Sequence, residues 1–450
     1  MLRQWRALNL HSLCLIAEPR LLDTTFERAV TATLILPRSA AAVAHDPCAE
    51  ICALAFAAGA EVVDSLVQRL SVPYVRTGFG RGKVREMKER LEASDSKLLI
   101  VDFDLSPSQG RNLEKDLGVR VVDRTELILD IFATRARTRQ SILQVELAQL
   151  EYMKTRLRRM WTHLERLEGA IGTRGPGETQ LETDRRLVDK KITDLKRRLK
   201  VIGRRSEHRA VSRLDPNTIS LVGYTNAGKS TLLSALTGAD AWIADQLFAT
   251  LDTQVRYWKL KDKRVLMLAD TVGFVRELPH HLVASFHATL EETLHADLLL
   301  HVCDASHLDL SQQIESVDGV LTALGCNDRP ELLVMNKADQ LSPEERIILR
   351  AEYPDAVFLS AHSGEGLEEL DAIISQRLDD WSLCFDVRVP ASAGKLLADF
   401  QRVSKVENPG YDGSFWCAHL TLPPRHWAVL RPILDVAGGE WSVVPKTVPL

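Results

Sequence analysis

The segment "GYTNAGKS", residues Gly223 to Ser230, decides the fold of this 450-residue chain. It fits the pattern G-x-x-x-x-G-K-[ST], follows the apolar run "TISLVG" and precedes the helix-forming run "TLLSAL". In that setting the glycines let successive backbone N–H groups curl around phosphate oxygens, and the helix N-terminus adds partial positive charge. The segment therefore predicts a phosphate-binding loop in an α/β domain. Lys229 is expected to reach the β- and γ-phosphates, and the Ser230 hydroxyl to ligate Mg²⁺.

Two later segments supply groups that would surround the metal and the γ-phosphate. "MLADTVGF" ends a predicted strand at Asp270, which can hold the magnesium shell, and it places the Gly273 N–H to sense the γ-phosphate. "FATLD" lies between the first helix and the next strand. Its Thr250 is the expected switch hydroxyl, which ligates Mg²⁺ only when the γ-phosphate is present.

The base-binding side is indicated by Asn336, Lys337 and Asp339, which close another predicted strand. A carboxylate at Asp339 can accept both the N1–H and the exocyclic amine of guanine. Adenine offers no such donor pair, so GTP is favoured over ATP. A P-loop kinase would not need this Asn-Lys-x-Asp group, and the ordered segments together predict a GTPase.

The predicted site extends over the phosphate loop, the two switch segments and the two base-binding loops, where Ser360 and Ala361 would back the guanine O6. Its catalytic residues are expected to be Lys229, Thr250 and Gly273, and its metal ligands Ser230 and Thr250. The residues expected to contact the nucleotide are Gly223, Tyr224, Thr225, Asn226, Ala227, Gly228, Lys229, Ser230, Phe248, Ala249, Thr250, Leu251, Asp252, Asp270, Thr271, Val272, Gly273, Asn336, Lys337, Ala338, Asp339, Ser360, Ala361 and His362.

Phe274 departs from the usual pattern, because many GTPases place there a glutamine that orients the attacking water. A phenylalanine cannot hydrogen-bond to water. Either hydrolysis is slow without help or another group positions the water, and a partner that reshapes the switch is the economical explanation. Phe274 is equally compatible with an ordinary core position.

Composition narrows the class of protein. The seven scattered cysteines include no CxxC pair, which disfavours a zinc site and favours a reducing cytosol. The run "LNLHSLCLIA" near the N-terminus favours a first β-strand over a signal peptide, and no apolar run is long enough to span a membrane. Five histidines show no recognised ligand spacing, so no metal role is expected for His280, His281, His287, His295 and His301.

The residues from 135 to 213 differ from the rest of the chain in charge and in periodicity. They hold 21 lysine and arginine residues against 10 acidic ones, although the whole chain has a net charge of −4. This favours a local anionic partner, and a merely solvated basic surface is the alternative. Apolar residues recur every seventh position, as at Leu143 and Leu150 and again at Val188 and Leu195.

This repeat predicts an antiparallel helical hairpin whose arms are about 45 Å long. The glycine-rich stretch "GTRGPGETQLETDRR", from Gly172 to Arg186, is expected to form a loop at its tip. A helix pair folded back onto the body remains possible.

The quoted motifs, together with "DRTELILDIFATRARTR" and "LQVELAQLEYM", resemble the HflX family of translational GTPases. The resemblance is strong over about residues 95 to 380. It implies a protein that binds the large ribosomal subunit, that splits stalled ribosomes into subunits, and whose tip reaches toward the peptidyl-transferase region. A hydrophobic residue at the position of Phe274 is typical of the family. Thr253-Gln254-Val255 stand where the family often has a proline, and the first 90 residues match it poorly.

The expected fold is α/β: a P-loop GTPase domain with an N-terminal α/β domain, a long antiparallel helical hairpin and a small C-terminal α+β domain. The expected boundaries are 1–134, 135–210, 211–380 and 381–450. The resemblance implies rRNA contacts for part of the tip, namely Gly172, Arg174, Gly175, Gly177, Arg185 and Arg186.

The expected protein is a cytoplasmic, monomeric, Mg²⁺-dependent GTPase that dissociates ribosomes. A GTP-gated assembly or quality-control factor for the large subunit, without splitting activity, is the alternative. An RNA-modification GTPase would need a catalytic cysteine or a cofactor domain, and neither is recognisable in the sequence.

Overall fold

The structure is a computed structural model that describes residues 27–37, 39–42, 44–160, 176–210, 217–238, 247–248, 251, 253–276, 296–326 and 329–444. These residues form two compact units. The first contains the described residues up to Arg137, together with 142–160, 176–194 and 247–248. The second contains the other described residues. The expected strand at "LNLHSLCLIA" lies outside the described residues.

The first unit is built on a parallel sheet. Its strands are β1 (Glu27–Ile35), β2 (Ala60–Arg69), β3 (Leu98–Asp102) and β4 (Arg120–Asp123), in the order β2-β1-β3-β4. Its helices are α1 (Ala49–Ala57), α2 (Arg81–Ala93), α3 (Pro107–Leu117) and α4 (Arg124–Arg135), and a 3₁₀ turn covers Ala40–Ala42. Successive side chains of β1 are buried on both faces, which explains its unbroken apolar run. The predicted α/β class of this domain is confirmed.

The basic segment forms two long helices, α5 (Arg139–Met160) and α6 (Pro176–Ala210). Lys191 pairs with Glu146 at 2.6 Å, and Lys154 pairs with Asp189. Contacts that advance along one helix and retreat along the other show that the helices run antiparallel, as the heptads predict.

The heptad positions Leu143, Leu147 and Leu150 on α5, and Val188 and Ile192 on α6, are buried. These apolar positions are the ones that the seven-residue repeat selects. The repeat in the sequence therefore has a structural basis.

The expectation of a loop from Gly172 to Arg186 is wrong for its larger part, because α6 begins at Pro176. Proline suits the first helical position, since its fixed φ fits the helix and its missing N–H would have no intrahelical partner there. The predicted tip residue Gly177 thus lies in the first turn of α6.

Helix α5 also packs against the sheet of the first unit. The Tyr152 hydroxyl donates a 2.7 Å hydrogen bond to Asp123, and Arg156 forms an ion pair with the same carboxylate. Burial raises the pKa of Asp123 to about 6, against the opposing effect of Arg156. The part of α5 that carries these residues is therefore anchored to the body of its unit.

The second unit contains a six-stranded sheet in the order β10-β9-β8-β5-β7-β6, parallel except for β6. Its strands are β5 (Thr218–Val222), β6 (Gln254–Lys259), β7 (Val265–Asp270), β8 (Leu298–Asp304), β9 (Glu331–Asn336) and β10 (Val357–Phe358). The helices are α7 (Lys229–Thr237), α8 (Leu310–Ala323), α9 (Pro343–Glu352) and α10 (Leu367–Trp381), and a 3₁₀ turn covers Ala338–Gln340. The carboxyl ends of the parallel strands share one edge, which is where ligands bind in open α/β sheets.

The second unit ends in an antiparallel sheet in the order β12-β13-β11-β14, backed by two helices. Its elements are β11 (Leu383–Pro390), α11 (Gly394–Val403), β12 (Lys405–Asp412), β13 (Phe415–Leu422), α12 (Pro424–Val436) and β14 (Glu440–Val444). Stacked rings of Phe385 and Trp427 lie in its core with centroids 3.7 Å apart. This is the predicted small α+β domain. Across the described part of the chain, no helix combines the length and apolarity needed to cross a bilayer.

Candidate functional site

The phosphate loop joins β5 to α7, and two of its glycines are required by close packing. Gly223 has φ +148°, and a Cβ there would lie 2.1 Å from the carbonyl oxygen of Val302. Gly228 has φ +93°, and a Cβ there would lie 2.2 Å from the side-chain nitrogen of Asn336. Both conformations belong to glycine, and neither site has room for a methyl group.

Lys229 is buried inside this loop. Its ammonium donates to the carbonyl oxygens of Gly223 at 3.1 Å and Tyr224 at 2.8 Å. Burial lowers the pKa of Lys229 from 10.5 to about 8, although Asp270 acts in the opposite direction. The charge is thus held in the concavity of the loop, where bound phosphates would stabilise it.

Ser230, at the start of α7, and Asp270, at the end of β7, place two oxygen atoms that could serve as metal ligands close together. The Ser230 hydroxyl donates to Asp270 Oδ2 at 2.6 Å, and the Asp270 side chain is fully buried. Thr271 donates to the carbonyl oxygen of Leu221 at 2.7 Å, which ties the end of β7 to β5. A hydroxyl beside a carboxylate suits Mg²⁺, which binds oxygen ligands.

The segment after β7 is joined to the phosphate loop by a short parallel β-bridge. The Phe274 N–H donates to Gly223 O at 3.1 Å, and the Thr225 N–H donates to Phe274 O at 2.8 Å. A Cβ on Gly273 would lie 2.7 Å from Thr225 Cγ2 and 3.0 Å from Lys229 Nζ. The Gly273 backbone therefore lies directly beside the predicted phosphate site.

Phe274 is 2% exposed and packs in an apolar cluster with Tyr224, Val222 and Leu299. Its ring occupies the core beneath the phosphate loop. Of the two compatible interpretations of this residue, the structure supports the core position. None of the described residues around the phosphate loop is assigned to orient the attacking water.

The predicted base-binding residues fall into two environments. Asn336 is buried, and its amide accepts from Ala361 N at 2.9 Å and donates to Ala227 O at 2.8 Å. Asn336 therefore connects the phosphate loop to the Ser360-Ala361 loop. Asp339 is exposed near the same strand end, where its carboxylate is accessible to the guanine base of a nucleotide.

Asp304, at the end of β8, was missed by the sequence analysis. It accepts a 2.7 Å bond from Lys337, whose φ is +60°. Its position at the end of the apolar run "LLLHVCD" was the available signal. On the neighbouring loop, Ser360 is buried and its hydroxyl accepts from Ser363 N at 3.1 Å.

The remaining residues that were predicted to contact the nucleotide differ in their environments, and three of them lie outside the described residues. Phe248, with φ +55°, is buried edge-on against Phe132 at 4.7 Å between ring centroids, within the first unit. Ala249, Thr250 and Asp252 lie outside the described residues. The other positions are Asn226, at φ +64°, the buried Ala227, Leu251, Val272 and Ala338, and the exposed His362.

Of the five histidines considered for a metal, His301 alone lies within the described residues. Its Nδ1 is 2.7 Å from Glu331 and 3.7 Å from Asp318. Their ligand atoms lie within 4.8 Å of one another, so they could hold a metal, but the 2.7 Å contact is that of a hydrogen-bonded pair. Of the predicted rRNA contacts, Arg185 and Arg186 are exposed on α6, and Gly172, Arg174 and Gly175 lie outside the described residues.

The sheet, the phosphate loop and the Asn-Lys-x-Asp strand end together define a P-loop GTPase, an enzyme that binds and hydrolyses GTP. Residues 218–337 match the family described as "50S ribosome-binding GTPase". The preceding parts, 45–133 and 135–213, match "GTP-binding GTPase N-terminal" and "GTP-binding GTPase Middle Region".

The chain belongs to the HflX family of GTPases. It is 47% identical to GTPase HflX of Escherichia coli strain K12, over 79% of this chain and 84% of that protein. It is 44% identical to GTPase HflX of Magnetococcus marinus, over 93% of this chain and 98% of that protein. A crystal structure of SsGBP with GDP aligns at a TM-score of 0.45 and 22% identity, over 78% of this chain and 98% of that one, a likeness too distant to bear on function.

Proposed function

We propose that this GTPase binds the large ribosomal subunit and promotes the dissociation of stalled ribosomes into subunits. The observation that carries the proposal is a long basic helical arm in the same chain as the GTPase site. Lys196, Arg197 and Arg198 are exposed on α6, as are Arg185 and Arg186 nearer its start. Basic side chains along a helix can follow RNA phosphates. The matched family description "50S ribosome-binding GTPase" supports the same partner.

The tip of the arm is proposed to contact rRNA through Gly172, Arg174, Gly175, Gly177, Arg185 and Arg186. We propose that the protein has four domains, with boundaries at 1–134, 135–210, 211–380 and 381–450, and that RNA binding and nucleotide binding fall to different domains. The first two would reach the RNA, and the third would supply the nucleotide-dependent switch. The protein is proposed to act in the cytoplasm as a monomer.

The nucleotide is proposed to bind through the phosphate loop, with Lys229 on the β- and γ-phosphates, Gly273 N–H on the γ-phosphate and Asp339 on guanine. Mg²⁺ would be held by the Ser230 hydroxyl and, in the GTP state, by Thr250, with Asp270 ordering its surrounding water. The ion would neutralise phosphate charge. The chain's own groups orient the phosphates. Because the buried Phe274 side chain cannot hydrogen-bond to water, ribosome binding is proposed to complete the arrangement that positions the water.

Two measurements on the same preparation test the proposal. The protein loaded with a non-hydrolysable GTP analogue should co-sediment with large subunits, and with GTP it should lower the light scattering of intact ribosomes. Lys229→Ala serves as the control that lacks nucleotide function. Co-sedimentation without a fall in scattering would favour the assembly or quality-control role, and absence of both would reject a ribosomal function.

A further inference from the structure

Tyr224 carries a contact that phosphate binding does not require. The P-loop pattern allows any side chain at position 224, because at that position the backbone rather than the side chain serves the phosphates. The Tyr224 hydroxyl nevertheless accepts a 2.7 Å hydrogen bond from the backbone N–H of Arg276. The ring is 6% exposed and packs in the cluster that contains Phe274.

This contact is a second attachment between the phosphate loop and the segment Gly273–Arg276. The first is the β-bridge between Tyr224 and Phe274, made by backbone atoms alone. The hydroxyl holds the same segment two residues further on. Because Gly273 is followed at once by these two attachments, their geometry sets where its N–H points.

The surroundings of Arg276 show what loss of the hydroxyl would do. Arg276 is only partly buried, and its amide would lose one acceptor. The Tyr224 ring and the backbone bridge would remain. Removing the oxygen should therefore loosen the segment without unfolding the domain.

We propose that Tyr224 is a positioning residue for GTP hydrolysis, because its hydroxyl holds Gly273–Arg276 in the geometry in which the Gly273 N–H meets the γ-phosphate. The inference rests on the proposed role of Gly273. GDP has no γ-phosphate and should not sense the change. A residue that merely stabilises the fold would affect both nucleotides alike.

The test is Tyr224→Phe, compared with Tyr353→Phe as a matched control at the end of α9, where the hydroxyl lies 3.5 Å from Ser311. Loss of one neutral hydrogen bond corresponds to about 2- to 10-fold in an equilibrium constant. We expect Tyr224→Phe to weaken binding of a non-hydrolysable GTP analogue by about that factor and to lower kcat. GDP affinity should stay within about twofold, and Tyr353→Phe should match the parent throughout.

Equal effects on GDP and the analogue, or no effect on either the analogue or kcat, would overturn the inference. If Tyr224→Phe does not fold, hydrogen exchange on the parent protein decides instead. The Arg276 amide must then be protected, and fast exchange at that amide would reject the contact. Gly273→Ala tests the underlying role separately. Unchanged analogue affinity in that variant would count against the γ-phosphate contact itself, whatever the result at Tyr224.

Discussion

At the scale of single residues, the base-binding motif divides its work between two neighbours. Asn336 is buried with both amide atoms bonded to backbone of other loops, so it assembles the site. Asp339, three positions later, is exposed and available to a ligand. Although these two residues are close in sequence, their different burial indicates that they have different roles.

Asp339→Asn should change which base is bound. The substitution keeps the shape but replaces an acceptor pair with one acceptor and one donor. Since a hydrogen bond to a charged group is worth about 1.5–3 kcal/mol, GTP affinity should fall at least about tenfold. Affinity for xanthosine nucleotide should rise. Fluorescence titration with both nucleotides measures this, Asp355→Asn in an exposed turn is the control, and unchanged GTP affinity would exclude Asp339 from base recognition.

Lys229 should make nucleotide binding take up protons near pH 8. Burial lowers its pKa from 10.5 to about 8 in the free protein, so about half of the molecules carry a neutral lysine at that pH. Phosphate charge favours the ammonium and raises this pKa on binding, so a proton is taken up and affinity declines as pH rises through 8.

Calorimetry of GDP binding at pH 8, in buffers of different ionisation enthalpy, should show uptake of about half a proton. Lys229→Arg should show none, because arginine remains charged. The same heat in every buffer for the parent protein would contradict the shifted pKa.

At the scale of elements, the two helices of the arm pack together through a regular repeat, whereas α5 contacts the sheet through residues that follow no repeat. The heptads bury residues such as Leu147 and Ile192, as their spacing predicts. The contact of Tyr152 and Arg156 with Asp123 follows no repeat, yet it ties α5 to the sheet. The C-terminal half of α5, which leads toward the predicted tip, is therefore held against the sheet of the first unit.

Charge reversal on α6 should weaken ribosome binding and make it less sensitive to salt. Lys196→Glu, Arg197→Glu and Arg198→Glu, combined, would remove phosphate contacts and release fewer counterions. Each lost contact should lower the slope of log K against log salt by about 0.7–0.9 in magnitude. Co-sedimentation with large subunits across a salt series measures it.

The matched comparison is between two single charge reversals, Arg197→Glu on α6 and the control Arg350→Glu on α9. Only Arg197→Glu should lower the salt slope of ribosome binding, and GDP affinity should be normal in both variants. A slope that is the same for the triple variant and the parent protein would show that these residues do not meet phosphate.

At the scale of the whole molecule, the C-terminal sheet is attached to the GTPase sheet by charged side chains within one unit. Arg425 lies 3.0 Å from Asp297 and 2.6 Å from Asn217. A second connection passes through Asp379, which pairs with Arg264 at 2.7 Å and with Lys405 at 3.4 Å. Arg264 is buried, whereas Arg425 is 45% exposed.

This difference in burial predicts different costs for removing each arginine. Arg264→Ala would remove a buried guanidinium that bonds Asp262, Asp379 and the carbonyl oxygen of Ser375, and should cost about 1.5–3 kcal/mol. Arg425→Ala removes a solvent-screened pair and should cost less than about 1 kcal/mol. Urea unfolding midpoints, followed by tryptophan fluorescence without nucleotide, would show it. Equal shifts in the two variants would mean that burial does not set the cost of losing these ion pairs.

Several features of this protein are determined by sequence alone. The glycines and lysine of the phosphate loop, the Asn-Lys-x-Asp group and the seven-residue repeat are short-range patterns, and each has a physical meaning within its own segment. They predicted the α/β GTPase fold, guanine specificity and paired helices. The glycines beside Pro176 led to the prediction of a loop there, although the structure begins α6 at that proline.

Tertiary structure alone decided which partners these residues meet. Asn336 joins Ala227 to Ala361, Phe274 turns into the core, and Tyr224 accepts the N–H of Arg276 because β5, β7, β8 and β9 lie in a particular order in one sheet. That order brings together strand ends separated by tens of residues along the chain. No local spacing encodes such contacts, since they depend on how the whole sheet buries its apolar faces.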